Sequence, residues 1–478
     1  MAKQPMLKFV TVGREMPEKR GADLRRTDFH EIYAEYAKAK AEEQAARCSQ
    51  CGVPYCQSHC PLHNNIPDWL RLTAMGRLEE AYEVSQATNT FPEICGRICP
   101  QDRLCEGNCV IEKSGHGTVT IGSVEKYITD TAWEKGWVKP IVPARERTES
   151  VGIIGAGPGG LAAADMLRRA GVQVTVYDRY DRAGGLLTYG IPGFKLEKDV
   201  VLRRNEQLEQ SGVRFVLNCT VGQDLSFDEI RAQHDAVIIA TGVYKSRDLG
   251  GPGAGAKGIV RAIDYLTASN RAANFGDSVP EFESGELNAE GKKVVVIGGG
   301  DTAMDCVRTA IRQGATSVKC LYRRDRANMP GSQREVQNAE EEGVQFEWLT
   351  APKGFTGNPV SGVIVEKMRL GAPDATGRQR PEVIEGSDYE EAADLVIKAL
   401  GFEPEPLPTL WGCEGLEVTR WGTIKAEFTS GRTALPGVYA VGDIVRGASL
   451  VVWAIRDGRD CVEAVLQDFA TKAAVAAE

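Results

Sequence analysis

The sequence predicts an α/β fold in which an α-helical, cysteine-rich domain precedes two Rossmann-like domains. Eight of the thirteen cysteines fall between Cys48 and Cys109, in a zone with helical spacing and few strand signals. A glycine-rich turn follows a short apolar run twice, at Gly155 and again at Gly298, and a helical pattern and a second apolar run come next in both places. Two such βαβ units imply parallel sheets with right-handed crossovers.

Size and composition narrow the class of protein. The 478 residues suffice for about three domains of roughly 150 residues each. The net charge of −9 argues against nucleic-acid binding, which needs a basic face. No apolar run has the roughly 20 clean residues of a membrane span, and residues 1–26 lack the apolar stretch of a secretory signal. We therefore expect a cytoplasmic protein without a membrane partner, whose thiols stay reduced.

The spacing of apolar residues and the positions of the two βαβ units divide the chain into four segments. In the first, a helix is expected where apolar residues recur at helical spacing, at Phe29, Ile32, Tyr33 and Tyr36. A polar, proline-containing linker ends this zone, and the two βαβ units follow about 140 residues apart. The expected boundaries are a helical domain at 1–145, the first part of one Rossmann-like domain at 146–290, the second such domain at 291–402, and the remainder of the first at 403–478.

The first glycine turn has the pattern of a dinucleotide site. Gly155 permits a tight turn, Gly157 lets a pyrophosphate approach the backbone, and Gly160 lets the helix pack closely on the strand. The helix N-terminus offers free N–H groups and a positive dipole end to the phosphates. Asp178 ends the next strand, where a carboxylate suits ribose hydroxyls and repels a 2′-phosphate.

The second turn repeats the glycine pattern of the first, but the strand that follows it ends in different residues. No acid closes the following strand, which instead reads Tyr322-Arg323-Arg324. Arginines at this position pair with a 2′-phosphate, so the sequence predicts NADPH rather than NADH, with Arg323 and Arg324 as candidates and Arg326 left open. The candidate residues of the turn itself are Gly298, Gly300, Asp301, Thr302 and Ala303.

The cysteine zone predicts metal chemistry. Its first run is Cys48-x2-Cys51-x4-Cys56-x3-Cys60-Pro61, and its second contains Cys95, Cys99, Cys105 and Cys109. Structural zinc usually shows paired C-x2-C units, of which there is one here, whereas a run that ends in Cys-Pro is typical of ferredoxins. Two [4Fe–4S] clusters are expected, with zinc as the alternative. If Cys60 crosses over, the second cluster takes Cys60 and three later cysteines, and the first needs one more ligand beside Cys48, Cys51 and Cys56.

Three further motifs follow the first glycine turn, at Gly184-Gly185-Leu186-Leu187, Ala240-Thr241-Gly242 and Gly442-Asp443. In this order the four motifs resemble those of the two-dinucleotide flavoproteins with glutathione-reductase-like folds. That resemblance implies that the first turn binds FAD and that the helix near Leu450 directs its N-terminus at the flavin. Outside the cysteine zone there is no close cysteine pair of the kind disulfide reductases use, so electrons must leave the flavin by another route. Besides the glycine turn and Asp178, the matching positions are Gly184, Gly185, Leu186, Ala240, Thr241, Gly242, Gly442, Asp443, Ser449, Leu450 and Val451.

The cysteine zone also resembles the N-terminal region of dihydropyrimidine dehydrogenase. In that family a side-chain amide oxygen supplies a cluster ligand on a segment after the last cysteine, and Glu125 is the matching position here. The resemblance therefore implies Glu125, rather than Cys95, as the fourth ligand of the first cluster beside Cys48, Cys51 and Cys56. The second cluster would then take Cys60 with Cys99, Cys105 and Cys109. The implied ligand set is Cys48, Cys51, Cys56, Cys60, Cys99, Cys105, Cys109 and Glu125.

Nearly end to end, the chain resembles the small-subunit family of bacterial NADPH-dependent glutamate synthases, including Asn89-Thr90-Phe91-Pro92-Glu93 and Ala399-Leu400-Gly401-Phe402. What this implies is an electron-input subunit that oxidises NADPH at FAD, and a large (alpha) subunit that makes L-glutamate from L-glutamine and 2-oxoglutarate in a hetero-oligomer. No general acid or base is expected, because hydride transfer is the cofactors' own chemistry. The alternatives are a subunit of a dihydropyrimidine dehydrogenase or of a bifurcating ferredoxin:NADP oxidoreductase.

Overall fold

The computed structural model describes residues 6–375, 377 and 379–477. It has the α/β class that the sequence predicts, with a helical region followed by two parallel five-stranded sheets. No helix of the described residues is long and apolar enough to cross a bilayer.

A helical head forms the N-terminal region. Its core surrounds the fully buried Trp69, against which Leu70, Val124 and Ile128 gather from two helices. After a 3-10 turn at Lys8–Val10, the helices are α1 (Ala22–Arg25), α2 (Lys38–Ala45), α3 (Tyr55–Ser58), α4 (Ile66–Ala74), α5 (Leu78–Thr88), α6 (Pro92–Ile98), α7 (Val110–Lys113) and α8 (Ile121–Glu134).

The helix expected across Phe29–Tyr36 is wrong. This stretch is irregular apart from a bridge between Lys19 and Tyr33. Ile32 and Tyr36 are buried nonetheless, and the Tyr36 hydroxyl donates to the Thr120 hydroxyl at 2.9 Å. The spacing therefore reflects an irregular arm whose buried side chains, Ile32 and Tyr36, lie four residues apart without a helix.

The middle of the chain supplies the strands and helices of both parallel sheets. The first group is β1 (Ser150–Ile154), α9 (Pro158–Arg169), β2 (Gln173–Tyr177), α10 (Leu186–Tyr189), α11 (Lys198–Gln210), β3 (Arg214–Val216), α12 (Phe227–Gln233), β4 (Ala236–Ile239) and β5 (Lys245–Ser246). The second group is β6 (Ile259–Arg261), α13 (Ala262–Phe275), α14 (Pro280–Glu283), β7 (Lys293–Ile297), α15 (Asp301–Arg312), β8 (Ser317–Tyr322), α16 (Gln333–Glu341) and β9 (Gln345–Trp348).

A separate antiparallel sheet, which the sequence did not predict, comes next: β10 (Thr350–Gly357), β11 (Val360–Pro373), β12 (Gln379–Val383) and β13 (Tyr389–Ala392). Its strands alternate buried and exposed residues only in part, and polar residues dominate β12 and β13. The chain ends with β14 (Leu395–Lys398), β15 (Phe402–Glu403), α17 (Leu407–Leu410), β16 (Val438–Ala440), α18 (Asp443–Arg446) and α19 (Val451–Ala477).

Sheet order shows how the two parallel domains interleave along the chain. The first sheet runs β16-β4-β1-β2-β3, so the C-terminal strand β16 completes it beside β4. The second runs β6-β14-β7-β8-β9. Strand β6 lies within the 146–290 segment assigned from the sequence to the first domain, and we propose that the second domain takes in residues from Ile259 onward. In both sheets the glycine turn follows a central strand, where ligands of open α/β sheets bind.

Candidate functional site

Backbone crowding requires glycine at the first turn. Gly155 has φ of +111°, and a Cβ there would lie 2.4 Å from the carbonyl oxygen of Ala240. A Cβ on Gly160 would lie 2.0 Å from the carbonyl oxygen of Gly155, because α9 starts directly against β1. Gly157, in contrast, faces open space. The turn is tight on the protein side and open on the side where a ligand would approach.

Asp178 directly follows β2 and holds this turn by two hydrogen bonds. One carboxylate oxygen accepts from the backbone N–H of Ala156 at 2.7 Å, and the other accepts from that of Tyr180 at 2.8 Å. The side chain is 9% exposed, and burial raises the pKa of the carboxyl group. It lines the cavity beside the turn.

That cavity has a volume of about 290 Å³ and brings together segments far apart in sequence. The buried Thr241 hydroxyl oxygen, which lines it, has no hydrogen-bond partner among the described residues. An orphaned polar atom of this kind fits a bound polar ligand. The predicted residues that line the cavity are Gly155, Gly157, Asp178, Leu186, Ala240, Thr241, Gly242, Gly442, Asp443, Ser449, Leu450 and Val451.

Three predicted glycines stand behind the cavity wall. Gly160 packs within the turn, and the backbone N–H of Gly184 donates to the Ala156 carbonyl at 2.8 Å. Gly185 has φ of +54°, and a Cβ there would lie 2.9 Å from the Cα of Gly157. Sequence reasoning missed other lining residues, Thr220, Gln223, Tyr244 and Trp411, which sit in loops without a motif.

The segment from Gly442 to α19 forms the opposite wall. The Asp443 carboxylate accepts from the Ser449 hydroxyl at 2.7 Å, and burial raises the pKa of Asp443. Helix α19 starts at Val451, so its N-terminal N–H groups and positive dipole end face the cavity lined by Leu450 and Val451. This is the placement expected for a helix that stabilises negative charge.

The second turn repeats the geometry of the first. Gly298 has φ of +149°, and a Cβ there would lie 2.3 Å from the Ala399 carbonyl oxygen, whereas Gly300 faces open space. Asp301, Thr302 and Ala303 begin α15, and Ala303 is fully buried. The Asp301 carboxylate accepts from the backbone N–H of Ser332 at 3.0 Å.

The three arginines after β8 differ in their partners. Arg326 forms a two-fold ion pair with Glu340, at 2.7 and 3.0 Å. Within the described part of the chain, Arg323 and Arg324 have no carboxylate within ion-pair distance, and the buried Nε of Arg324 has no hydrogen-bond partner. Arg323 is exposed. Two guanidinium groups are therefore available to an anion, while the third is occupied.

A larger cavity of about 510 Å³ lies where the head meets both parallel domains. Leu186, Leu450 and Val451 from the first cavity's wall line it, as do Asp301 and Thr302 from the second turn. The head contributes Cys99 and Pro100. The two glycine-turn sites and one cysteine therefore open onto a common space.

Four cysteines form an outer set within the head: Cys48, Cys51, Cys56 and Cys109. Burial raises the pKa of the Cys56 thiol to about 12, with further contributions from the neighbouring thiols of Cys48, Cys109 and Cys51. Burial likewise raises the pKa of Cys48 to about 11, and Cys109 and Cys51 again add to the shift. The sequence placed Cys109 with Cys99 and Cys105, whereas in the structure its thiol contributes to the raised pKa values of Cys48 and Cys56. We therefore propose that Cys109 belongs to the outer set.

Cys60, Cys99 and Cys105 form an inner set, nearer the parallel domains. Burial raises the pKa of Cys60 to about 12, with contributions from Cys95 and Glu125. A hydrogen bond with Cys95, together with burial, raises the pKa of Cys99. Both Cys60 and Cys99 pack against the core of the first parallel domain.

The two candidates for an eighth ligand, Glu125 and Cys95, both adjoin the inner set rather than the outer one. Glu125 is 6% exposed, and one of its oxygens accepts from the side-chain amides of Asn64 at 2.9 Å and Asn89 at 3.3 Å. Burial raises the pKa of Glu125 to about 8. The Cys95 thiol donates to the Asn89 amide oxygen at 3.8 Å.

Such a buried carboxyl group is not a helix-surface residue, and its place beside Cys60 and Cys105 fits a cluster ligand. Among the described residues, no three His, Cys, Asp or Glu side chains converge as the ligands of one metal ion would.

Comparisons with known proteins agree with this layout. Residues 25–137 match the family model for dihydropyrimidine dehydrogenase domain II, 4Fe-4S cluster, and residues 149–458 match the one for pyridine nucleotide-disulphide oxidoreductase. FprA of Mycobacterium tuberculosis, solved in complex with NADPH, shares the fold with a TM-score of 0.58 and 22% identity over 69% of this chain and 86% of FprA.

Curated relatives match along the whole chain. The glutamate synthase [NADPH] small chain of Azospirillum brasilense is 66% identical over 97% of this chain and 96% of its own length. The putative glutamate synthase [NADPH] small chain of Cereibacter sphaeroides is 67% identical over 100% of both chains. The chain therefore belongs to the family of glutamate synthase small chains.

Proposed function

We propose that this chain is the electron-input subunit of a glutamate synthase, which oxidises NADPH at FAD and passes the electrons through two [4Fe–4S] clusters to a large subunit. The observation that carries the proposal is the common cavity, onto which both glycine-turn sites and Cys99 open. When bound, FAD accepts a hydride from NADPH and converts the pair of electrons into single ones for the clusters. The protein's own residues bind and orient these groups.

The first cavity would hold FAD. Gly155 and Gly157 would admit the pyrophosphate at the start of α9, which Gly160 lets pack closely on the strand, and Asp178 would suit the ribose hydroxyls. Asp443, Ser449 and the N-terminus of α19, on the opposite wall, would hold the flavin end. Thr241 offers an unpartnered hydroxyl group inside the cavity, which supports a polar ligand there.

The second turn would hold NADPH, with Arg323 and Arg324 at the 2′-phosphate. Their lack of carboxylate partners among the described residues supports this assignment, as does the pairing of Arg326 with Glu340. Thr302, which lines the common cavity together with Leu450, would help to hold the nicotinamide end.

The head would hold two clusters. The outer set supplies four thiols, and the inner set supplies three thiols with Glu125 as the fourth ligand. A carboxylate ligand shifts the potential of a cluster relative to a thiolate. The inner cluster would receive electrons from the flavin, because Cys99 lines the common cavity, and the outer cluster would deliver them to the partner.

Exposed apolar side chains beside the outer set support a docking surface for the large subunit. Val53 is 65% exposed and Tyr55 is 50% exposed, both between Cys51 and Cys56. We expect Val53→Asp to weaken assembly of the complex, measured by co-purification, whereas the same change at the exposed Val383 of the antiparallel sheet leaves assembly intact. Equal recovery of the partner with both variants would contradict this docking surface.

The function itself is tested by isolating the chain anaerobically with its native partner. A large subunit should copurify, and the complex should form glutamate from glutamine and 2-oxoglutarate only when NADPH is present. Because the head also matches a dihydropyrimidine dehydrogenase domain, a second candidate is electron supply to pyrimidine reduction. Recovery of a pyrimidine-reducing or ferredoxin-type partner, without glutamate formation, would overturn the proposal in favour of that alternative.

A further inference from the structure

One short segment touches both the second glycine turn and a loop beside two inner cysteines. We call residues 330–334 the bridge segment and residues 101–106 the cluster loop, which follows Cys99 and contains Cys105. The bridge segment belongs to the second parallel domain, and the cluster loop belongs to the head. No motif marks the bridge segment in the sequence, and of the cluster loop only Cys105 belongs to one.

On one side, the bridge segment is bonded to the glycine turn. The backbone N–H of Gly331 donates to the Gly299 carbonyl at 2.9 Å, and the N–H of Ser332 donates to the Asp301 carboxylate at 3.0 Å. A Cβ on Gly331 would lie 3.2 Å from the Gly299 oxygen, so the two backbones are nearly in contact. A pyrophosphate at the start of α15 would therefore lie against this segment.

On the other side, the same segment is bonded to the cluster loop. Arg334 donates to the Gln101 side-chain oxygen at 2.9 Å and to the Glu106 carboxylate at 3.3 Å. The Ser332 hydroxyl donates to Asp102 at 3.4 Å, and Arg103 donates to the Pro330 carbonyl. Arg334 also lines the common cavity with Thr302 and Cys99.

The two residues that Arg334 holds support the inner set directly. The Gln101 side chain donates to the carbonyl oxygens of Cys95 at 3.2 Å and Gly96 at 3.1 Å, and its backbone N–H donates to the Cys99 carbonyl at 2.8 Å. Glu106 accepts from the backbone N–H of Gly122, in the first turn of the helix that carries Glu125. A shift of Arg334 would therefore reach both the Cys99 backbone and that helix.

We propose that the bridge segment couples nucleotide occupancy at the second turn to the inner cluster, with Arg334 as the positioning residue. This inference rests on the proposed function, since it assumes the cluster and the nucleotide where they are placed above. Coupling between two sites is reciprocal. If reduction of the inner cluster changes the affinity for the nucleotide by some factor, nucleotide binding must shift the midpoint potential of the cluster by the same free energy. A fivefold factor, at the low end of usual couplings, corresponds to about 40 mV for one electron.

The test uses the native complex and 2′-phospho-ADP-ribose, a probe that carries the pyrophosphate and the 2′-phosphate but accepts no hydride. The inner cluster's electron paramagnetic resonance spectrum and midpoint potential are measured with and without saturating probe. We expect a shifted spectrum and a potential change of about 40 mV or more in the native protein. Arg334→Gln should abolish both changes while still binding the probe, and Arg369→Gln, which removes an exposed charge of the antiparallel sheet, should keep both.

The coupling would be overturned if the bound probe left the spectrum and midpoint potential of the inner cluster unchanged in the native protein. It would also be overturned if the probe shifted both by the native amount in Arg334→Gln. If Arg334→Gln loses iron, Arg334→Lys replaces it, because a lysine keeps the charge without spanning two acceptors. In Arg334→Lys, the probe should shift the midpoint potential of the inner cluster by less than about half of the shift in the native protein. A shift as large as the native one would overturn the proposal. FAD content and dye reduction by NADPH are measured on every sample, so that a failure of the coupling is distinguishable from a failure of the proposed function.

Discussion

The two glycine turns belong to two copies of one βαβ unit, but the residues around them differ in charge and burial. Both begin with a glycine at positive φ whose Cβ would collide with a carbonyl oxygen, that of Ala240 for Gly155 and that of Ala399 for Gly298. After the first, the next strand ends in the buried Asp178, which is bonded to two backbone N–H groups. After the second, it ends in the exposed Arg323.

The surroundings explain how one unit can serve two roles. The first turn opens into a cavity walled by segments from residue 154 to residue 454, which suits a cofactor that stays bound. The second opens onto the common cavity and toward exposed arginines, which suits a nucleotide that binds and leaves. The difference lies in what the rest of the chain packs around each turn.

The largest effect is expected from a matched pair of glycine substitutions. Gly155→Ala should abolish FAD binding and destabilise the first domain, since the methyl group meets backbone that cannot move and the positive φ adds strain. Gly298→Ala should retain FAD but lose reduction of the flavin by NADPH. Flavin absorbance and rapid-mixing reduction measure both outcomes. Loss of FAD from both variants alike would contradict the assignment of FAD to the first turn and NADPH to the second.

An intermediate effect is expected at the end of β8. The double change Arg323→Glu and Arg324→Glu should lower kcat/KM for NADPH by about 10²-fold or more and leave that for NADH nearly unchanged, because each charged contact contributes about 1.5–3 kcal/mol. Arg326→Gln is the matched control, since Glu340 already holds that side chain. An unchanged ratio of the two kcat/KM values in the double variant would place the 2′-phosphate elsewhere.

The smallest effect is expected at Asp178. In Asp178→Asn, one backbone N–H would face an amide NH2 group, and the loss of one buried hydrogen bond costs about 1–3 kcal/mol. We expect FAD to dissociate roughly tenfold more readily, as followed by flavin fluorescence, with the fold preserved. FAD retention equal to that of the unchanged protein would show that the carboxylate is dispensable to the turn.

Local pattern predicted the parallel domains well, because the glycine turns and the strand ends beside them are dictated by short-range backbone geometry. Gly155, Asp178 and Gly298 stand where their spacing placed them. Patterns that depend on distant partners failed. The helix predicted around Ile32 is an irregular arm, and the antiparallel sheet was missed because its strands β12 and β13 are polar.

Cysteine spacing predicted the metal chemistry but could not fix the grouping. The grouping depends on which distant thiols each cysteine approaches, and Cys109 approaches Cys48 and Cys56, which lie more than fifty residues earlier in the chain. Arg334 carried no sequence signal at all, because its partners Gln101 and Glu106 lie more than two hundred residues away.

The central claim is that electrons enter at the second turn and leave through the head. The most direct test mixes NADPH rapidly and anaerobically with the native complex carrying Cys99→Ser, and follows the flavin and the partner's acceptor together. The account predicts that the flavin is reduced at nearly the normal rate while reduction of the acceptor is lost. Reduction of the acceptor at an unchanged rate would contradict it, since the electrons would then bypass the inner cluster.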